Sequence, residues 1–173
     1  MKSLISFGAA AAILAGFLRI LAVFIPYQYQ NAWLETLYAV IDIGLLFGLI
    51  AMYLTVGEQL GRLGLVCFIF ALIGIASIVG PDALIFEIDF YMTGSALFIV
   101  GLAGFSICLV IRRLHYVPAM LWIASALFGV MAFVMGAPIA LAGAGLLLGA
   151  GFLTAGYEMA RHQQVTSRQA SNI

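Results

Sequence analysis

The sequence contains very little charge. Seven lysine and arginine residues and seven aspartate and glutamate residues make up 8% of the 173 residues, whereas hydrophobic residues make up 65%. Soluble domains carry about 25% charged residues, so this chain cannot cover a surface that faces water. The net charge is zero, and a protein without a basic field has little attraction for nucleic acid. We therefore expect a membrane protein that contacts membrane lipid and has no nucleic-acid partner.

Residues that hold metals and cofactors are also few. His115 and His162 are the two histidines and lie outside the apolar runs, which excludes a haem held by two histidines inside a bundle. The one lysine is Lys2, so no apolar run offers a lysine for a Schiff base. Cys67 and Cys108 lie within apolar runs and are expected to be small core residues rather than a disulfide or a metal site.

Sequence motifs for covalent and nucleotide chemistry are missing as well. The chain has no nucleophile elbow, zinc-protease helix, phosphate-binding loop or dinucleotide fingerprint. We therefore expect no cofactor and no metal, and we favour a function other than catalysis.

Long apolar runs dominate what is present. Each of six runs is about 20 residues long, the length that a helix needs to cross the hydrocarbon layer. Their approximate spans are 3–25, 33–55, 62–80, 90–111, 117–135 and 138–158. The first run begins like a signal peptide, but it continues to Ile25 and contains Arg19, which a signal peptide would not normally tolerate. The pattern predicts an all-α membrane bundle of six transmembrane helices over residues 1–160.

Lysine and arginine are distributed unevenly between the two sides of this predicted bundle. When the six segments alternate in direction, one side receives Lys2, Arg62, Arg112, Arg113, Arg161 and Arg168. The opposite connections, 26–32, 81–89 and 136–137, contain no lysine or arginine. The positive-inside rule therefore predicts that both termini are cytoplasmic. Residues 161–173 are polar, and we expect a mobile cytoplasmic tail there.

Two oppositely charged residues lie inside the first two apolar runs. At 1.5 Å per residue, Arg19 lies about 10 Å and Asp42 about 14 Å inside the outer boundary, and Glu35 only about 3 Å. Glu35, Tyr38 and Asp42 share one face of the second helix because they are spaced i, i+3 and i+7. An isolated charge in the bilayer costs at least ~2.5 kcal/mol. We therefore expect Arg19 to lie within hydrogen-bond reach of Asp42 or Glu35.

These four residues, Arg19, Glu35, Tyr38 and Asp42, allow two interpretations. They could form a polar pocket in the outer half of the bundle that binds a ligand head group or a proton. Alternatively, Arg19 and Asp42 could form a structural ion pair that sets the register of the first hairpin.

The connection 81–91 alternates acidic and apolar residues. Glu87 and Asp89 could belong to a lid over the outer pocket, with carboxylates that attract a cation. We favour an interfacial loop whose aromatic side chains enter the headgroup region while its carboxylates stay in water, because the acids lack the spacing of a calcium loop.

A basic turn and a glycine-rich helix are the remaining features. Arg112, Arg113 and His115 could hold an anionic lipid head group, although residues that set the topology need no further role. In the last run, Gly145-x-x-x-Gly149 allows another helix to approach closely. The glycines could form the seam of a homo-oligomer, but we favour packing within the bundle.

One stretch resembles known proteins. Residues 46–54, Leu-Phe-Gly-Leu-Ile-Ala-Met-Tyr-Leu, and 60–66, Leu-Gly-Arg-Leu-Gly-Leu-Val, are similar to a pattern that recurs in small bacterial multi-pass proteins with no assigned activity. The resemblance implies a multi-pass protein of a bacterial inner membrane.

Three functions remain open. The leading one is a non-enzymatic membrane protein that binds a lipid or small hydrophobic molecule, or that is an accessory subunit of a membrane assembly. The second is a small transporter or proton-coupled carrier that uses Arg19 and Asp42, although the prolines lie at the ends of the runs and do not indicate discontinuous helices. The third is an acid–base isomerase, lyase or cyclase that acts on an isoprenoid-like substrate.

Overall fold

The computed structural model describes residues 2–26, 31–79, 84–85 and 88–171, and these residues are almost entirely helical. The helices are α1 (Lys2–Ala22), α2 (Ala32–Ile78), α3 (Phe90–Ile111), α4 (Tyr116–Met135) and α5 (Pro138–Ser171). Two short strands, β1 (Leu84–Ile85) and β2 (Ile88–Asp89), form an antiparallel hairpin before α3. All five helices are long and apolar enough to cross a membrane, which is compatible with a multi-pass membrane protein.

The described residues form five helices where the sequence predicts six. The expected second and third helices, 33–55 and 62–80, belong to the single 47-residue helix α2. The predicted connection between them stays helical up to Gly61, which has φ 65° and ψ −160° and is the residue of α2 that leaves the helical conformation. This backbone conformation is essentially restricted to glycine, because a Cβ would clash there. The predicted end of the second segment at residue 55 was wrong because residues 56–60 contain no proline to end a helix. The predicted start of the third segment at residue 62 directly follows Gly61.

The chain reverses direction at Gly61. The rings of Tyr53 and Phe68 stack with centroids 4.1 Å apart and planes 13° apart. In a continuous helix, residues separated by this many positions would lie about 22 Å apart along the axis. The part of α2 before Gly61 and the part after it therefore lie side by side as two antiparallel arms.

The helices pack in chain order and close into a ring. The first arm of α2 packs on α1, the second arm packs on α3, and α4 joins α3 to α5. Helix α5 then packs antiparallel against α1, where a Cβ at Gly149 would lie only 2.7 Å from the carbonyl oxygen of Gly16. The glycine-rich face of α5 is thus used for packing within the molecule. Trp122, Phe105 and Phe152 are among the largest fully buried side chains of the core.

The bundle has two chemically different ends. At the terminal end lie the start of α1, Gly61, the turn between α3 and α4, and the C-terminal part of α5. Every lysine and arginine of the chain except Arg19 belongs to this end by its position in the helices. The opposite end contains Pro26, the β-hairpin and the turn at Gly136. Helix α5 also continues to Ser171, so much of the tail predicted after residue 160 is helical.

Candidate functional sites at the two ends of the bundle

Three of the four predicted pocket residues come together near the opposite end. The guanidinium carbon of Arg19 lies 5.7 Å from the centre of the Tyr38 ring, a distance at which a cation interacts favourably with an aromatic face. Asp42 is half-buried and interacts electrostatically with Arg19. On the other side, a Cβ at Gly145 would lie 3.8 Å from the guanidinium, so this glycine leaves room for Arg19. We call Arg19, Tyr38 and Asp42 the outer cluster.

The outer cluster differs from the predicted ion pair. In the described part of the chain, no hydrogen bond or salt bridge joins Arg19 to Asp42 or to Glu35, and Arg19 Nε is buried without a hydrogen-bond partner. The register of α1 against α2 explains the geometry. A Cβ at Gly44 would lie 2.6 Å from the Cβ of Ala15, which puts Arg19, one turn further along α1, at a level between Tyr38 and Asp42. Its guanidinium lies against the aromatic ring.

The remaining predicted residues lie elsewhere. Glu35 is exposed in the first turn of α2. Asp89 caps the N-terminus of α3, where its Oδ1 accepts a hydrogen bond of 2.8 Å from the backbone N–H of Met92. This cap explains Asp89 without a lid. Glu87, the other residue of the predicted lid, lies outside the described residues.

A closer polar contact lies at the terminal end. His115 Nδ1 lies 2.6 Å from Glu158 Oε2, which ties the turn between α3 and α4 to the C-terminal part of α5. The His115 side chain is 8% exposed and the Glu158 side chain 33% exposed. A carboxylate oxygen can only accept, so Nδ1 carries the hydrogen of this bond. The pair therefore holds the imidazole in one tautomer and one orientation.

The turn that carries His115 has a strained backbone. Arg113 has φ 57° and His115 has φ 42°, and neither is a glycine. Each residue held in the left-handed region costs on the order of 1 kcal/mol, and such residues cluster at binding sites. His115 also occupies the N-cap position of α4 without making a side-chain cap hydrogen bond. Its imidazole forms a hydrogen bond with Glu158 across the bundle instead of capping α4.

These residues line an open cleft of about 540 Å³ at the terminal end. We call it the inner cleft, and its lining residues are Arg113, Leu114, His115, Glu158, Arg161 and His162. The rings of His115 and His162 lie 6.3 Å apart. Within the described residues, the guanidinium groups of Arg113 and Arg161 form no hydrogen bond or salt bridge. The cleft therefore presents two cations whose donors are available to a ligand.

The N-terminus of α4 adds to this positive potential. The N–H groups of Tyr116 and Val117 have no acceptor inside the helix, and Pro118 has no N–H. His115 does not cap them with its side chain. The helix dipole favours negative charge at such an N-terminus. Two guanidinium groups, a helix N-terminus and two imidazoles together suit an anion. Among the described residues, no group of three histidine, cysteine, aspartate or glutamate side chains could hold a metal ion.

Sequence reasoning identified only part of the inner cleft. It singled out Arg113 and His115 as a possible head-group site but did not include Glu158, Arg161 and His162. Glu158 is the one carboxylate in the last apolar run, and this could have marked it as a partner for a basic group. Comparisons with protein-family models, with curated proteins and with solved structures find no match for this chain.

Proposed function

We propose that the protein is a non-enzymatic, six-span protein of a bacterial inner membrane that binds an anionic lipid in the inner cleft, with both termini in the cytoplasm. The observation that carries the proposal is the cleft itself. It brings together two guanidinium groups that find no partner among the described residues. They lie beside the N-cap residue of α4, at the end of the bundle that carries the lysines and arginines.

The six-span topology is supported by the reversal at Gly61. The arm of α2 after Gly61 ends at Ile78 and has 17 residues, and about 17 residues is the shortest helix that spans the hydrocarbon layer. Six antiparallel spans bring the N-terminus of α1 and the end of α5 to one side, as the packing of α1 on α5 requires. The lysines and arginines at that end make it cytoplasmic by the positive-inside rule.

The depth of the cleft favours a lipid head group. Arg113 follows the end of α3, and Arg161 lies beyond the apolar part of α5. Side chains just outside the hydrocarbon layer lie at the level of lipid phosphates, and basic residues on the cytoplasmic side attract anionic lipids. An anionic head group also supplies the acceptors that Arg113 and Arg161 do not find among the described residues.

The topology can be tested by cysteine labelling in intact cells. In a background with Cys67→Ala and Cys108→Ala, we expect Ala32→Cys to react with a membrane-impermeant maleimide. Gln59→Cys, which is exposed and adjoins the reversal, should react only after the cells are permeabilised. Labelling of Gln59→Cys in intact cells would contradict the six-span topology.

Lipid binding can be tested by native mass spectrometry of the detergent-solubilised protein. We expect the wild type to retain anionic lipid in preference to phosphatidylcholine, and the double variant Arg113→Gln/Arg161→Gln to lose this preference. The double variant Arg62→Gln/Arg112→Gln is a matched control, because it removes two exposed arginines at the same end that do not line the cleft. Equal loss in both double variants would show that net charge alone attracts the lipid.

A further inference from the structure

We propose that the inner cleft selects a phosphomonoester, the group found in phosphatidic acid and in glycerol 3-phosphate, over the phosphodiester of other anionic lipids. The inference rests on the proposed anionic-lipid binding and concerns which head group that site prefers. It follows from the number of donors in the cleft and from the tautomer that Glu158 imposes on His115.

The two guanidinium groups favour a ligand with three terminal oxygens. Arg113 and Arg161 line the same cleft, and each guanidinium carries a planar fork of N–H donors that matches two phosphate oxygens. A phosphomonoester has three terminal oxygens and a charge near −2 at neutral pH. A phosphodiester has only two such oxygens and a single negative charge, so it cannot use both forks equally well.

His115 also favours a phosphomonoester over a phosphodiester. Because its Nδ1–H is donated to Glu158, the remaining ring nitrogen, Nε2, accepts a hydrogen bond in the neutral ring and donates one in the protonated ring. The neutral ring can accept from the P–OH of a singly charged phosphomonoester. The protonated ring can donate to the doubly charged form. A phosphodiester has no P–OH and no second charge, so it gains less from either form of the ring.

Glu158 lowers the positive charge of the inner cleft. Its carboxylate lines the cleft and opposes the two arginines, which leaves the cleft with a net charge of about +1 while both imidazoles are neutral. The volume of about 540 Å³ leaves room for the glycerol that follows the phosphate.

The direct test compares two soluble short-chain lipids on the wild-type protein in a neutral detergent. Dihexanoyl phosphatidic acid and dihexanoyl phosphatidylglycerol carry the same acyl chains, so their affinities differ only through the head group. We expect phosphatidic acid to bind about tenfold more tightly, the effect of roughly one additional charge-assisted hydrogen bond. Equal affinities for the two lipids, both lost in Arg113→Gln/Arg161→Gln, would overturn the selectivity and leave the proposed function intact. Binding of neither lipid would overturn both.

Glycerol 3-phosphate distinguishes the two sources of the phosphomonoester. If it competes with dihexanoyl phosphatidic acid at a similar concentration, the cleft binds a soluble phosphomonoester from the cytoplasm. If it competes at least about tenfold more weakly, because apolar burial of the acyl chains adds affinity, the ligand is the lipid. Either result supports recognition of a phosphomonoester, whereas no competition at any concentration would contradict it.

A variant tests the contribution of His115. We expect His115→Phe to bring the ratio of the two lipid affinities close to one while the affinity for phosphatidylglycerol changes little. Arg112→Gln is the control, because Arg112 adjoins the cleft without lining it and should leave the ratio unchanged. An unchanged ratio in His115→Phe would show that the imidazole does not set the selectivity.

Discussion

The outer cluster and the inner cleft differ in how well the sequence predicts their contacts. Arg19 and Asp42 are the charged residues that lie deepest within the predicted membrane spans, and the sequence predicts a close pair. The structure brings them near each other, but the guanidinium lies on Tyr38 and makes no salt bridge with either predicted carboxylate. His115 precedes α4 and was predicted only as part of a basic turn that sets the topology or holds a head group, and no role was predicted for Glu158, which lies within α5. They form a contact of 2.6 Å.

The two sites differ in the sequence separation of the residues that meet in them. Arg19 and Asp42 belong to one predicted hairpin, so counting residues estimates their depths but not the direction of their side chains. His115 and Glu158 are 43 residues apart, and their contact depends on how α5 packs on α1 and α4. That packing depends on close backbone contacts between glycines. The outer cluster and the inner cleft therefore both depend on α5, which supplies Gly145 to one and Glu158 to the other.

The largest expected effect comes from separating α5 from α1. A Cβ at Gly149 would lie 2.7 Å from the carbonyl oxygen of Gly16, and backbone atoms cannot turn away. We expect Gly149→Ala to lower the free energy of unfolding by about 2–3 kcal/mol, as overpacking in a tight core does. Unfolding by SDS in mixed micelles measures this change.

Gly129→Ala is the matched control for that variant. The nearest atom to its added Cβ is the Cδ1 of Ile99 at 3.7 Å, an ordinary contact, so this change should be neutral or slightly stabilising. If Gly149→Ala is as stable as Gly129→Ala, the close approach of α1 and α5 is not what holds the ring together.

The next effect is the coupling between His115 and Glu158. A double-mutant cycle with His115→Ala and Glu158→Ala should give a coupling energy of about 2 kcal/mol, typical of a hydrogen bond that involves a charged group. The partial exposure of Glu158 keeps the coupling below that of a fully buried pair. A coupling energy near zero would mean that Glu158 does not hold the strained turn.

The helices themselves were largely predictable. The predicted segments 90–111 and 117–135 agree with α3 (Phe90–Ile111) and α4 (Tyr116–Met135), because length and apolar content decide whether a segment can span a bilayer. The residue at which α2 breaks was not predictable in the same way, because the predicted connection covered all of residues 56–61. A single glycine reverses the chain at Gly61, and many other glycines in this sequence stay helical.

The sites were only partly predictable. Helical spacing correctly groups Tyr38 with Asp42, because residues four apart share a face. The choice of Tyr38 over Asp42 as the neighbour of the guanidinium depends on the register between α1 and α2, which glycine and alanine contacts set. The inner cleft requires a turn in which Arg113 and His115 adopt the left-handed conformation. An arginine or a histidine in a sequence does not predict that conformation.

The smallest coupling energy is expected between Arg19 and Asp42. Its size distinguishes a structural ion pair from two charges that interact without a hydrogen bond. A structural ion pair predicts that loss of Arg19 strands a carboxylate and costs about 3–5 kcal/mol, which a second change at Asp42 then recovers. In the structure the two groups interact without a hydrogen bond. We therefore expect a cycle of Arg19→Met and Asp42→Asn to give a coupling energy of only about 1 kcal/mol.

A parallel cycle of Arg19→Met and Tyr38→Leu provides the comparison, since a cation on an aromatic face contributes about 0.5–1 kcal/mol or more when desolvated. Similar values in the two cycles would agree with a guanidinium that lies on Tyr38 and interacts with Asp42 from a distance. A coupling of 3 kcal/mol or more with Asp42 alone, the size expected of a direct buried pair, would contradict the structure. Arg19 would then act as a structural counter-ion, and the outer cluster would offer no donor to a ligand.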